Sequence, residues 1–133
     1  MDATRLSARD LMRKDPRTIR EAAPVLDAAR MMRDFGVSSL VVERKDERDA
    51  FGIVTRKDIV RALLSIHGSG TAQVVADVMT KPALTVNPDL SIDHCLQIMR
   101  MMGVRRVPVV EGNTLVGILS NSDVFRRLVQ DLG

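Results

Sequence analysis

The segment Gly52-Ile53-Val54-Thr55-Arg56-Lys57-Asp58 returns later in the chain as Gly117-Ile118-Leu119-Ser120-Asn121-Ser122-Asp123. Each copy reads glycine, two aliphatic residues, a hydroxyl residue, two variable residues and aspartate. Each ends a short apolar run of strand character and precedes an apolar pattern of helical period, so the period changes at the hydroxyl residue. A chain with this feature must build the same strand-to-helix corner twice, and a repeat of this kind sets the whole fold. The similarity extends well beyond the corners. At an offset of 67 residues Asp10 meets Asp77, Met12 meets Met79, Lys14 meets Lys81, Thr18 meets Thr85, Met32 meets Met99, and Gly36-Val37 meets Gly103-Val104. At the corners the offset is 65, so the second copy has lost two residues in the turn after Val42/Val109. A hairpin loop is where a length change is best tolerated.

The order of elements within one copy follows from local signals. Ser7-Ala8-Arg9-Asp10 has the form of a capping box opening a short helix through Met12, which Pro16 soon ends. Arg17-Thr18-Ile19 and Leu84-Thr85-Val86 read as short strands. Pro24 or Ser91 then opens a helix whose core face is Val25, Ala28, Ala29, Met32 and Phe35 in one copy, and Ile92, Cys95, Leu96, Met99 and Met102 in the other. Gly36 and Gly103 stand where a helix C-cap takes a positive φ. Ser39 to Val42 and Arg106 to Val110 read as strands, with Ala50 to Val54 and Leu115 to Leu119 as their hairpin partners. The turn Glu111-Gly112-Asn113 supports that pairing. A last helix carries Ile59, Val60, Leu63 and Leu64, repeated as Val124, Phe125, Leu128 and Val129. The class is α+β, with two α-β-α-β-β-α repeats spanning residues 7–67 and 71–132. One copy alone is near the size where a single core is marginal, so the two are expected to form one module over residues 1–133.

Composition narrows the function. The net charge is +3, with basic residues dispersed among 17 acids rather than clustered, which weighs against nucleic acid as partner. There is no Trp or Tyr and only three Phe, too few for base-stacking platforms. No apolar run approaches the roughly 18 residues of a membrane span. Met1-Asp2-Ala3-Thr4-Arg5 carries an early acid and no apolar h-region, unlike a signal peptide. The single cysteine, Cys95, cannot form an internal disulfide. The expectation is a cytoplasmic protein without a membrane partner.

The ordered set Asp10-Leu11-Met12, Asp77-Val78-Met79, Gly36-Val37, Gly103-Val104, Val107-Pro108-Val109-Val110 and the two corners resembles a pair of cystathionine-β-synthase (CBS) domains, the stand-alone Bateman module. The resemblance covers nearly the whole chain. It implies two repeats packed sheet to sheet with pseudo-twofold symmetry, an adenosine nucleotide in the cleft between them, and assembly of two modules into a disc-shaped homodimer.

Two readings of the corner stand side by side. Thr55-x-x-Asp58 and Ser120-x-x-Asp123 are capping boxes in form, and a hydroxyl N-cap stabilises a helix by about 1 kcal/mol. A helix N-terminus also offers unsatisfied N–H groups to phosphate, and an ionised aspartate accepts hydrogen bonds from ribose hydroxyls. Gly52 and Gly117 would let a ligand approach the backbone. The resemblance implies that Asp58 and Asp123 hold ribose, with Thr55, Ser120, Lys57 and Ser122 at the phosphate end. It also implies a phosphate contact from Arg105 or Arg106, whose counterparts are Ser38 and Ser39, so that the two sites differ in charge and phosphate favours the arginine-bearing one. Arg suits phosphate through its fixed fork of donors. Consecutive strand residues point to opposite faces, so at most one of the pair faces a given pocket. Thr18 and Thr85 offer backbone groups to the base, again by resemblance. Ile19, Val37, Val86, Val104, Ile53 and Ile118 can furnish an apolar slot for adenine or serve as plain core.

Other signals point to packing. Met32 and Met99 lie on an apolar helical face and read as core rather than copper ligands, while Met31, Ile98 and Met101 lie off it and suit a subunit contact. Cys95 aligns with Ala28 and reads as a buried spacer. His94 and His67 have no metal-pair spacing, and no nucleophile has an evident orienting partner. The expected function is regulatory rather than catalytic. The module binds AMP, ADP or ATP as ligand, not as a catalytic cofactor, and signals energy state to a partner protein. Phosphate-bearing ligands are favoured over S-adenosylmethionine, whose cation gains nothing from Arg105 or Arg106. The alternatives are a ligand-free dimerisation scaffold and a weaker nucleic-acid reading.

Overall fold

In a computed structural model, residues 5–65 and 73–132 are described. The bounds 67 and 71 of the sequence repeats, and His67, lie outside them. The elements are α1 (Ala8–Leu11), β1 (Thr18–Ile19), α2 (Val25–Phe35), β2 (Ser39–Val42), β3 (Gly52–Thr55), α3 (Arg56–Leu63), a 3-10 turn (Val75–Asp77), α4 (Ile92–Met102), β4 (Arg106–Glu111), β5 (Thr114–Ser120) and α5 (Asn121–Asp131). The class is α+β.

The chain divides into two compact units. A continuous unit falls within Arg17–Ala83, and a split unit joins Met1–Pro16 to Leu84–Gly133. Each therefore takes its opening turn from the other sequence repeat. In the split unit α1 packs Ala8 and Leu11 into a core with Val86, Ile92, Cys95, Met99, Val107 and Leu119. In the continuous unit Val75 of the 3-10 turn joins Ile19, Val25, Ala28, Met32, Leu40 and Val54. Ser7 opens α1 with the expected capping box, its backbone N–H donating to Asp10 Oδ2 at 2.8 Å. The second copy has Val74 in that place and winds only a 3-10 turn, although Val74 N–H still donates to Asp77 Oδ2 at 3.0 Å.

The long helices end as the glycines require. Gly36 and Gly103 take φ of 64° and 67°, a left-handed conformation that glycine adopts without strain. Val25, Ala28 and Met32 are buried, as are Ile92, Cys95 and Met99. Phe35 and Met102, expected in the core, are 47% and 61% exposed. Each lies ten residues after the first stripe position, which at 3.6 residues per turn is about 80° round the helix. The Arg17 guanidinium covers the Phe35 ring at 3.9 Å. The expected face of the last helix is also narrower: Ile59 and Val124 are buried, whereas Val60, Leu64, Phe125 and Val129 are exposed.

The continuous unit has a three-stranded sheet, order β1-β2-β3, with β1 parallel and β3 antiparallel to β2. Among the described residues the split unit has only the antiparallel pair β4-β5. The strand expected at Leu84-Thr85-Val86 shrinks to a single bridge, Val86 to Val109. In the continuous unit Val41 N–H donates to Arg17 carbonyl at 3.0 Å, and Glu43 N–H to Ile19 carbonyl at 2.9 Å. The second of these survives as Val110 N–H to Val86 carbonyl at 2.9 Å. The first would need an N–H at Pro108, which has none. The split unit compensates with a short hairpin turn at Gly112, φ 61°, and longer strands.

Candidate ligand site

Each corner forms where a strand's last hydroxyl residue becomes a helix N-cap. At the continuous unit's corner the Thr55 N–H and hydroxyl donate to Asp58 Oδ2 at 2.8 and 2.9 Å, and Asp58 N–H returns to Thr55 Oγ1 at 3.4 Å. At the other corner the Ser120 hydroxyl donates to Asp123 Oδ2 at 2.9 Å and Asp123 N–H donates to Ser120 Oγ at 3.1 Å. Thr55 and Ser120 both act as N-caps, with the reciprocal backbone bond to the aspartate only at Thr55, and each carboxylate sits in the first turn of a helix, where the positive end of the backbone dipole favours an anion.

The glycines serve a different purpose from the one expected of them. A Cβ at Gly117 would meet Met12 Sδ at 2.5 Å and Arg13 carbonyl oxygen at 2.8 Å. At Gly52 it would meet Thr80 carbonyl oxygen at 3.1 Å and Val42 Cβ at 3.2 Å. Each glycine admits the segment that bridges the corner strand rather than a ligand. Arg13 exchanges both backbone hydrogen bonds with Ile118, at 2.9 and 3.1 Å, and Thr80 does the same with Ile53, at 2.9 Å each.

Register places the remaining residues. Ser38 carbonyl accepts from Arg56 N–H, and Arg105 carbonyl from Asn121 N–H, each at 2.9 Å, so Ser38 and Arg105 occupy equivalent places at the entrance to α3 and α5. Arg106 is the cross-strand partner of Ser120, and Ser39 of Thr55. Cross-strand partners share a face, so Arg106 lies on the face that carries Ile118 and Ser120. Arg105 is exposed. Thr18 pairs with Val41 and Val41 with Ile53, which puts Thr18 two strands from Ile53 on the face that carries Thr55. Thr85 is exposed just before the bridge at Val86. Lys57 and Ser122 are exposed in the first turns of α3 and α5. Of the apolar candidates, Ile19 and Val86 are core, Val37 and Val104 pack against it, and Ile53 and Ile118 are half-buried outside both cores.

Two residues that the sequence did not single out touch the split unit's carboxylate. Asp123 Oδ1 accepts from Arg13 Nε at 3.3 Å and from Arg126 Nη2 at 2.9 Å. Arg126 stands three residues after Asp123 on one helix, a spacing that sequence could have flagged. Arg13 is 110 residues away and carries no such signal. Asp58 pairs with none of the described cations, although Arg61 matches Arg126. Asp58 lines a cavity of about 290 Å³ with Arg61, Ala62, Ser65, Gln73 and Val78.

Cys95 lies wholly inside the split unit, and burial pushes its thiol above the ordinary range, which suits the expected spacer and not a thiolate. His94 is tied to the N-cap of α4, its Nδ1 3.0 Å from the Ser91 hydroxyl.

Residues 8–65 and 75–130 match the family model described as the CBS domain. The chain belongs to the CBS domain family. As a CBS pair it is similar to the hexameric CBS-CP12 protein from bloom-forming cyanobacteria, with a TM-score of 0.85 and 36% identity over 90% of this chain and 69% of that one. It is similar also to the CBS domain pair of MJ0100, solved in complex with 5′-methylthioadenosine and S-adenosyl-L-methionine. That match has a TM-score of 0.78 and 26% identity, covering 92% of this chain and 98% of that one. Hypoxic response protein 1 of Mycobacterium tuberculosis is 30% identical over 122 residues, 92% of this chain and 85% of that protein. Of two other curated relatives the chain spans only 62% and 53% of the length. Among the described residues no helix is long and apolar enough to cross a membrane.

Proposed function

We propose that this CBS pair is a regulatory module that binds an adenosine nucleotide (AMP, ADP or ATP) at its strand-to-helix corners and reports energy state to a partner protein in the cytoplasm. The observation that carries the reading is the duplicated corner itself. A half-buried aspartate, fixed by a hydroxyl N-cap, stands twice at the first turn of a helix. One aspartate in each copy can take the hydroxyls of a ribose, and the N–H of Lys57 or Ser122, which neither the cap nor the preceding strand takes, suits a phosphate. The adenosine compounds in the MJ0100 complex support the nucleoside part of this reading. Arg106, beside Ser120, supports the phosphate part. Thr18, Ser38, Thr55, Lys57 and Asp58 serve one corner, and Thr85, Arg105, Arg106, Ser120, Ser122 and Asp123 the other. The role is binding rather than catalysis: a ligand shifts a protein's shape by its differential affinity for two states, and no bond need be made or broken.

The module acts as a homodimer in this reading. Phe35 and Met102, and likewise Val60 and Phe125, are exposed at matching places in the two units. Apolar side chains exposed in pairs by both repeats suit a second copy of the same chain. Sedimentation at several concentrations distinguishes this from a monomer or a hexamer.

The corner glycines favour a second reading, a ligand-free dimerisation scaffold, because packing alone accounts for them. Thermal unfolding with AMP, ADP, ATP, adenosine and S-adenosylmethionine separates the two. A ligand at a hundredfold excess over its dissociation constant stabilises the fold by about 2.7 kcal/mol. No shift with any of the five leaves the scaffold.

A further inference from the structure

We propose that Arg13 makes the Asp123 corner selective for phosphorylated adenosine, while the Asp58 corner also accepts the bare nucleoside. The inference rests on the adenosine reading above and assigns a specificity role to a residue outside the corner motif.

The two corners present different carboxylates. At Asp58, Oδ2 is taken by the Thr55 N–H and hydroxyl. Oδ1 has no cation among the described residues, and the side chain borders the 290 Å³ cavity. The same cavity is lined by Gln73, whose buried Oε1 lacks a hydrogen-bond partner among the described residues. A buried acceptor of that kind is costly until a donor reaches it. The two hydroxyls of a ribose offer one donor to each acceptor and displace no cation from Asp58.

At Asp123, Oδ2 holds the Ser120 hydroxyl, and Oδ1 holds both Arg13 and Arg126. The carboxylate is only 12% exposed. Three of its roughly four acceptor sites are filled, so the two hydroxyls of a ribose displace an arginine from Oδ1. Arg13 is the one that can leave: its bond is the longer, 3.3 against 2.9 Å, and Arg126 is tied also to the Ser122 carbonyl at 3.4 Å. A displaced guanidinium needs a new anion. A nucleotide phosphate provides one with bidentate geometry, whereas adenosine provides none. The counterpart of Arg13 in the other unit is Thr80, held to Ile53 by the same pair of backbone bonds. Thr80 carries no charge to displace.

The test uses the full chain in an Asp58→Asn background, which leaves the Asp123 corner to report alone. Titration calorimetry compares adenosine with AMP before and after Arg13→Thr, which copies the residue of the other repeat, and Arg13→Met, which keeps the aliphatic stem. Removing one partly exposed ion pair that competes with the ligand should raise adenosine affinity about two- to fivefold. AMP affinity should fall in the same variants, and Arg13→Lys should restore the preference for AMP. Adenosine affinity that is unchanged or lower in both neutral variants, while AMP still binds the parent, overturns the role of Arg13 and leaves the adenosine reading standing. Failure of every adenylate to bind the unmutated chain overturns the adenosine reading and the role of Arg13 together.

Discussion

The continuous and split units descend from one pattern, yet they hold themselves together with different charges. In the continuous unit Lys81 reaches Glu21 at 2.7 Å and also Asp49, and Lys45 reaches Glu21 at 3.0 Å. Lys14, the counterpart of Lys81, makes none of the described ion pairs, because Pro88 stands where Glu21 would be and the shorter hairpin has removed the loop that carries Asp49. The split unit uses Arg9 instead, which joins Asp89 at 3.3 Å to Glu111 at 2.7 Å, and Ala76 stands at the matching place in the continuous unit. Backbone geometry is what the two copies share. Charge is rebuilt locally in each, and the same divergence reaches the candidate ligand corners through Arg13 and Thr80.

The corner glycines offer the strongest way to break the symmetry. A Cβ at Gly117 meets a backbone oxygen at 2.8 Å as well as the Met12 sulfur, whereas at Gly52 the tightest neighbours stand at 3.1 and 3.2 Å. Overpacking costs about 1–3 kcal/mol. Gly117→Ala should lose about 2–3 kcal/mol in urea unfolding, and Gly52→Ala about 1 kcal/mol. Equal losses would mean that the two bridging segments yield equally and that the closer approach at Gly117 has no energetic weight.

The aspartates come next. Asp58→Asn keeps a residue able to cap but loses the charge that strengthens a bond to a sugar hydroxyl. AMP affinity should fall about tenfold or more, read by calorimetry, with stability changed by less than about 0.5 kcal/mol. Asp123→Asn should weaken AMP as well and should also release Arg13 and Arg126, so its stability cost should be the larger of the two. Full AMP affinity in both variants would remove the ribose role and leave the carboxylates as caps.

The Lys81 cluster distinguishes the units by pH. Lys81 holds the Asp49 carboxyl down to about 2 and, with Lys45, holds Glu21 below its ordinary range. A carboxylate whose folded value is depressed adds stability that is present above its unfolded value, near 4, and is lost as pH falls toward the folded one. Lys81 itself is raised, so its share is present below the ordinary lysine range and fades as pH rises beyond it. Hydrogen exchange between pH 5 and 2.5 should show protection falling more steeply in β1 to β3 than in β4 and β5. Lys81→Met should flatten that difference, while Lys14→Met should leave it alone. A difference that survives Lys81→Met would place its origin elsewhere.

Sequence carried the fold further than it carried the site. Helix ends at Gly36 and Gly103, the hairpins and the capping residues follow from short-range chemistry, and each is legible within a window of a few residues. Phe35 and Met102 misled because a stripe of spacing three and four drifts off the core by the third turn. Leu84-Thr85-Val86 misled because its strand character depends on a donor at residue 108, which only the pairing register reveals. The exchange of opening turns between repeats was hidden for the same reason: nothing local to Ala8–Leu11 says which core will receive it. Arg13 reaches Asp123 only through that exchange, so no reading of the corner motif by itself would have found it.

Pro108 gives the smallest effect and the finest comparison. Pro108→Val supplies the N–H that the split unit lacks and should let residue 84 accept a bond as Arg17 does in the other sheet. One added backbone hydrogen bond contributes about 0.5–1.5 kcal/mol. Removing a proline frees the unfolded chain and costs about 0.4–1 kcal/mol. The two nearly cancel, so unfolding free energy should move by less than about 0.5 kcal/mol even though a strand has been extended. The informative readout is hydrogen exchange at the new amide. Slow exchange at residue 108 with little change in stability would show that the shortened sheet is a consequence of one missing donor. Fast exchange there would mean that Leu84 and Thr85 are held off β4 by something other than the proline, and the two sheets would then differ in packing as well as in hydrogen bonding.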